Sequence, residues 1–108
     1  MRKALVAAGW TWAAAIVWLS LTPSMPKLGA GHADKFGHFA AYGVLMFWFA
    51  QLYRERLAYA AGFVAMGVAL EFLQQALGSR QLDVFDMLAN TLGVATGWGV
   101  ARMLQSRV

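Results

Sequence analysis

Four long apolar runs separated by three short polar segments organise the chain. Ala4–Thr22 carries no charged residue. Phe36–Tyr53 has a single histidine, His38, and no Asp, Glu, Lys or Arg. Leu57–Leu77 holds one carboxylate, Glu71, and Val84–Ala101 holds one, Asp86. Each run is close to the roughly 20 residues that a helix needs to cross about 30 Å of hydrocarbon. None alternates with period two, and a bilayer obliges backbone groups to pair within the spanning segment. The pattern predicts an all-α membrane protein, a four-transmembrane-helix bundle forming a single domain over residues 1–108.

The connections agree with that reading. Pro23 and Pro26, the two prolines, fall in the first connection with Gly29 and Gly31, so Pro23–Ala33 is expected to be irregular. Arg54-Glu55-Arg56 separates the second and third spans. Gly78-Ser79-Arg80-Gln81-Leu82 separates the third and fourth, with Gly78 a suitable C′ residue.

Composition sharpens the assignment. In a chain of 108 residues, 60% hydrophobic side chains are more than a small soluble domain can hide. The same figure excludes intrinsic disorder. The absence of cysteine excludes a disulfide framework, a thiolate zinc site and a cysteine nucleophile. A net charge of +4 would suggest nucleic acid in a soluble protein, but the placement of the charges points to topology instead. Arg2, Lys3, Arg54, Arg56, Arg102 and Arg107 fall on one side of the predicted bundle; Lys27, Lys35 and Arg80 fall on the other. The positive-inside rule then places both termini in the cytoplasm, and no nucleic-acid partner is expected. Arg2-Lys3 followed by an apolar run also fits the start of a signal peptide. The run is long, contains Trp10, Trp12 and Trp18, and leads into prolines rather than a small-residue cleavage site, which favours an uncleaved span. Trp10 and Trp12 lie too deep for an interfacial belt and are expected to pack.

The polar residues inside the apolar runs are not scattered. A charge in hydrocarbon costs about 3 kcal/mol on insertion scales, so it needs a reason. Asp34, His38 and Tyr42 follow i, i+4, i+8; Glu71, Gln74 and Gln75 follow i, i+3, i+4; Asp83, Asp86 and Asn90 follow i, i+3, i+7. Each set lies on one helix face. Tyr42, Glu71 and Asn90 each sit about six residues inside a span, roughly 9 Å below the outer boundary. Three polar faces at one depth shield each other best around a shared pocket near the outer side. Several members have simpler readings. Asp34 and Asp83 suit N-caps, and Asp86 suits the N-terminal end of a helix dipole. A single His38 can be a hydrogen-bonded structural residue, Tyr42 an interfacial anchor, and Lys35 a snorkelling cation. Arg80 can neutralise nearby acids or hold a phosphate or carboxylate. Glu71 and Asn90 lie beyond the reach of a cap and are the members hardest to explain structurally.

Gly93 and Gly97 form a GxxxG in the fourth span, extended by Ala89 and Ala101. Small residues at that spacing allow close helix approach, either to a helix of the same chain or to a second copy as a homodimer.

This ordered set resembles the VanZ-like family of bacterial membrane proteins. The resemblance rests on Trp18-Leu-Ser-Leu-Thr-Pro23, Asp34-Lys35-x-x-His38-Phe39-x-x-Tyr42, Glu71-x-x-Gln74, Arg80, Asp83-x-x-Asp86-x-x-x-Asn90 and Gly93, and runs over nearly the whole chain. It implies a small multi-span helical protein of the bacterial inner (cytoplasmic) membrane. The family takes its name from an accessory factor in resistance to the glycopeptide teicoplanin, which implies an envelope role but supplies no biochemical activity.

The leading expectation is an accessory protein. Its pocket of Asp34, Lys35, His38, Tyr42, Glu71, Gln74, Arg80, Asp83, Asp86 and Asn90 would bind an anionic lipid headgroup or cell-wall precursor, with Lys35 and Arg80 meeting the anion. One alternative is an intramembrane enzyme acting on an outer-leaflet lipid, with His38 as base and Asp34 or Glu71 orienting it or serving as acid. Another is a proton-coupled transporter using Glu71. No ligand spacing here is diagnostic of a metal, so neither a metal nor another cofactor is expected.

Overall fold

The computed structural model describes residues 1–21, 32–78 and 84–104, with the side chains of 32–35 excepted. Four helices make up almost all of these: α1 (Arg2–Leu21), α2 (His32–Leu52), α3 (Arg56–Ala76) and α4 (Val84–Leu104). No strand occurs among the described residues. The all-helical, four-helix architecture is as the hydrophobic pattern predicts. The boundaries shift where polarity and backbone pairing part company. α2 begins at His32 rather than Phe36, so the last two residues of the expected irregular run, His32 and Ala33, are helical, and α4 continues through Arg102 to Leu104. A helix needs continued backbone pairing, not continued apolarity, so it runs on through charged residues at its ends. The rest of the proline-containing connection and most of the α3–α4 connection lie outside the described residues.

α3 stops where the sequence places its stop. Gly78 has φ +76°, a left-handed conformation that costs glycine nothing, and its N–H donates to Gln75 O at 3.0 Å. At the other end of the bundle, α2 and α3 are joined by a tight turn in which Arg56 N–H donates to Arg54 O at 2.8 Å.

The helices run alternately up and down. α2 and α4 are parallel, and they form the most extensive helix pair because glycines let them touch backbone to backbone. A β-carbon at Gly93 would collide with Phe39 O and lie 3.1 Å from Gly43 N; one at Gly97 would collide with Gly43 O and lie 2.9 Å from Phe47 N. The GxxxG face is therefore taken up within one chain, by α2. A homodimer through Gly93 and Gly97 would need surface that α2 already covers. α1 is held against α2 by two indole N–H donors, Trp12 to Ala41 O (3.1 Å) and Trp48 to Leu5 O (2.8 Å). Trp10 stacks edge-on against Phe49 with ring centroids 5.0 Å apart. Trp10 and Trp12 thus pack as expected, although each keeps an outward side exposed.

The apolar core is concentrated in one half of the bundle. Phe49 is fully buried and meets Trp10, Tyr53, Tyr59 and Phe63. Such aromatic pairs add about 0.5–1.5 kcal/mol each beyond the area they bury. Leu45, Met46 and Ala101 complete this region. Outside, large apolar side chains project from every helix, among them Trp18, Leu57, Phe72, Phe85, Leu92 and Met103. By length and composition, α1 and α3 are apolar enough to cross a membrane, while α2 holds a shorter apolar stretch, Phe36–Leu52.

The seam can be tested with alanine. Gly97→Ala should destabilise the protein by about 1–3 kcal/mol, the cost of overpacking a close contact. Gly99→Ala, two residues on and with open space around it, should cause no loss and gain up to about 1 kcal/mol from helix propensity. Chemical denaturation of the purified variants measures both.

Candidate functional site

The half of the bundle opposite the aromatic core is polar inside. Asp86 (0% exposed), Tyr42 (1%), Gln74 (1%), Glu71 (2%) and Asn90 (3%) are buried together with the apolar core, although four of the five are charged or carry an amide. They come from three helices, and each reaches the interior because it repeats at helical spacing on the face turned to its neighbours. α2 contributes Tyr42, α3 contributes Glu71 and Gln74, and α4 contributes Asp86 and Asn90. The three faces do turn inward.

His38 joins α2 to α4. Its Nδ1 lies 3.1 Å from Asn90 Oδ1, and its Nε2 lies 3.6 Å from Asp86 Oδ2. An amide oxygen can only accept, so Nδ1 carries a proton and donates it to Asn90. Nε2 is then the ring atom that faces Asp86. The His38 side chain is 15% exposed and the Asp86 side chain fully buried, so the histidine sits between the interior and the outer surface.

One turn deeper, Asn90 and Tyr42 close over Gly67 of α3. A β-carbon at Gly67 would lie 2.9 Å from Asn90 Nδ2 and 3.4 Å from Tyr42 Cε2, so the hydrogen at this position makes room for both side chains. Glu71 lies one turn beyond Gly67 on α3 and is buried at the same level of the bundle. Gln74 extends the network to α1, where its Nε2 donates to Ser20 O. Ser20 lies in the last turn of α1, whose carbonyls have no partner within their own helix. The buried amide therefore also caps α1.

Six of the ten residues expected in the site, His38, Tyr42, Glu71, Gln74, Asp86 and Asn90, are brought together around the interface of α2, α3 and α4. Asp34 and Lys35 lie in the first turns of α2, where side chains are not described. Arg80 and Asp83 lie outside the described residues. Among the catalytic candidates, His38 has a carboxylate facing it, that of Asp86, which the sequence had placed in the pocket without singling it out as the partner. Both ring nitrogens of His38 thus face groups of α4, Asn90 on one side and Asp86 on the other. Glu71 is buried in the interior, on the same face of α3 as Gly67. Among the described residues, no three His, Asp or Glu side chains converge as a metal would require.

Two contributors were not foreseen. Gly67 carries no chemistry, and only the approach of Asn90 and Tyr42 reveals its place. Ser20 takes part through its carbonyl, which its side-chain type does not advertise. The small residue at Gly67, four before Glu71 on the same helix face, was the available signal.

The His38–Asn90 contact should be measurable as a coupling. A double-mutant cycle of His38→Ala and Asn90→Ala should give an interaction energy of about 1 kcal/mol, the usual size of a hydrogen bond between helices in apolar surroundings. Additive single effects in equilibrium unfolding would show that the contact contributes nothing.

No curated protein and no solved structure matches the chain. A family model, described as VanZ/LLP1, matches residues 3–105. That match covers nearly the whole chain, reaches all four helices and includes every residue of the buried polar network, so the protein belongs to the VanZ/LLP1 family.

Proposed function

We propose that the chain is a single-domain, four-span protein of the bacterial inner membrane with both termini in the cytoplasm. In this reading its polar pocket near the outer face serves an envelope-related accessory role by binding an anionic lipid headgroup or cell-wall precursor.

The observation that carries the membrane reading is the inversion of polarity across the bundle. Carboxyls and amides are inside, while Leu, Phe, Trp and Met side chains face out on all four helices. In water that arrangement would cost heavily on both counts; in lipid it is favourable on both. The same inversion bears on α2 and α4. α4 is as long as α3 and carries Asp86, Asn90 and Arg102. Asp86 and Asn90 are buried, and the side of α4 turned outward carries Val84, Phe85, Leu88, Leu92 and Val100. A lipid chain would meet those residues rather than the helix average. Helices of 21 residues reach about 30 Å, the thickness of the hydrocarbon layer. The alternating helix directions put Arg2, Lys3, Arg54, Arg56 and Arg102 at one end, the distribution expected of a cytoplasmic side.

The envelope role is supported by family membership, and the binding role by the polar network at the end opposite those cations. Lys35 and Arg80 flank that network in sequence and supply the charge for an anion. Acids alone would repel one, so these two cations carry the recognition.

Two measurements test this. The chain lacks cysteine, so single cysteines at positions 3, 54 and 103 should be protected from a membrane-impermeant thiol reagent in intact cells, and one at position 80 should be labelled. Labelling in the reverse pattern overturns the orientation. For binding, Lys35→Ala with Arg80→Ala should weaken the affinity for a lipid bearing a phosphate monoester headgroup by about tenfold or more, the loss of charge-assisted contacts. Unchanged binding in the double variant overturns the anion-binding role.

A further inference from the structure

The end of the bundle opposite the polar network has its own organisation. Two of its arginines are committed to structure. Arg2 donates through Nη2 to Leu52 O and lies over the Tyr53 ring, 5.4 Å from its centroid. Arg56 donates to Ala50 O through Nε (3.1 Å) and Nη2 (3.0 Å). Both cations thus serve the carbonyls at the C-terminus of α2, where the helix dipole is negative. Lys3, Arg54 and Arg102 are different. All three are exposed, and among the described residues none of their side chains takes part in a hydrogen bond or an ion pair. The acid described at this end is Glu55, set against five cations. Between them, Tyr53 and Tyr59 stack with centroids 4.8 Å apart and an interplanar angle of 19°, half-buried on the Phe49 core.

The surface beside these charges is apolar. Leu57 follows the Arg54–Arg56 turn and is exposed, and Val100, Met103 and Leu104 surround Arg102 on α4 and are exposed. Free cations at an end, apolar side chains directly alongside, and phenol rings at the boundary match an amphiphile with an anionic head and hydrocarbon tails. A soluble anion would use the charges and leave the flanking apolar surface unexplained.

We propose that Lys3, Arg54 and Arg102 form a binding surface for an anionic phospholipid of the leaflet in which this end lies. Headgroup phosphates are met by these cations around that end, the acyl chains lie along Leu57, Val100 and Met103, and Tyr53 and Tyr59 sit at headgroup depth. The proposal rests on the membrane reading above but not on the outer pocket, since it uses the opposite end and none of the same residues. The three cations stand at the same end of the bundle on separate elements, the start of α1, the α2–α3 turn and the end of α4, so anionic headgroups packed around that end would screen them.

The test uses the full chain purified in a neutral detergent. Phosphatidylglycerol and phosphatidylcholine with identical acyl chains are added separately, and retained lipid is counted by native mass spectrometry. The wild type should retain phosphatidylglycerol about tenfold more strongly than phosphatidylcholine, a preference that shrinks as salt is raised. The triple variant Lys3→Gln, Arg54→Gln, Arg102→Gln should lose the preference while keeping its melting temperature in lipid-free detergent, because Arg2 and Arg56 still cap α2. Lys35→Ala with Arg80→Ala should leave the preference intact. Equal retention of the two lipids by the wild type, or an undiminished preference in the triple variant, overturns the site. A chain that stays monodisperse without detergent overturns the membrane reading and the lipid site together, whereas one that needs detergent but shows no preference overturns only the lipid site.

Discussion

The close approach of α2 and α4 sets the terms for the rest of the molecule. Gly93 and Gly97 bring the α4 backbone onto the backbone of α2 at Phe39, Gly43 and Phe47, with no side chain between them. His38 lies next to Phe39, and Asn90 lies one turn before Gly93, so the polar contact begins where the glycine contact ends. An imidazole is short and can join two helices only if their axes are already close. The sequence elements that look like packing and the elements that look like chemistry are therefore one device. Widening the seam by a methyl group would push back the α4 side chains that His38 meets.

That device operates against an unfavourable background. Asp86 and Glu71 are removed from water, and a buried charge stripped of partners costs several kcal/mol. The bundle offsets this by giving a carboxyl a polar neighbour from another helix: Asp86 faces His38. Interior polarity then fixes which faces meet, since any rotation of α3 or α4 that exposed a carboxyl would place it among Leu and Phe. Specificity of helix pairing comes from that penalty as much as from the hydrogen bonds.

Much of this is legible in the sequence, and the part that is not has a common cause. Periodicity shows which residues share a face, so the polar stripes through His38 and Tyr42, Glu71 and Gln74, and Asp86 and Asn90 could be read in advance. It does not show which turn of one helix lies beside which turn of another. Hence the pairing of His38 with both Asp86 and Asn90, the place of Gly67 beneath Tyr42 and Asn90, and the choice of α2 as the partner of the GxxxG face emerge only in three dimensions. The helix ends differ for another reason. A hydropathy pattern closes a span at the first charge, whereas α2 and α4 keep their backbone pairing through residues such as Asp34 and Arg102. Gly78 is the exception, because a left-handed turn depends on a single residue that sequence does display.

The two ends of the bundle solve the same problem with opposite chemistry. Every helix end presents backbone groups that its own turns cannot satisfy. At the basic end the α2 carbonyls are met by Arg2 and Arg56, long side chains whose charge also suits the negative pole of the helix. At the other end the last turn of α1 is met by Gln74, a neutral amide donating from within the bundle. A guanidinium can reach outward and tolerates an aqueous, anion-rich boundary. A buried amide adds no charge to an interior that already holds two carboxyls. The asymmetry of the caps thus follows the asymmetry of the charges, and it leaves the cations beyond those used for capping facing outward at one end and the acids facing inward near the other. A chain built this way interacts with its surroundings differently at each end, and that polarity is set by the same backbone constraints that terminate its helices.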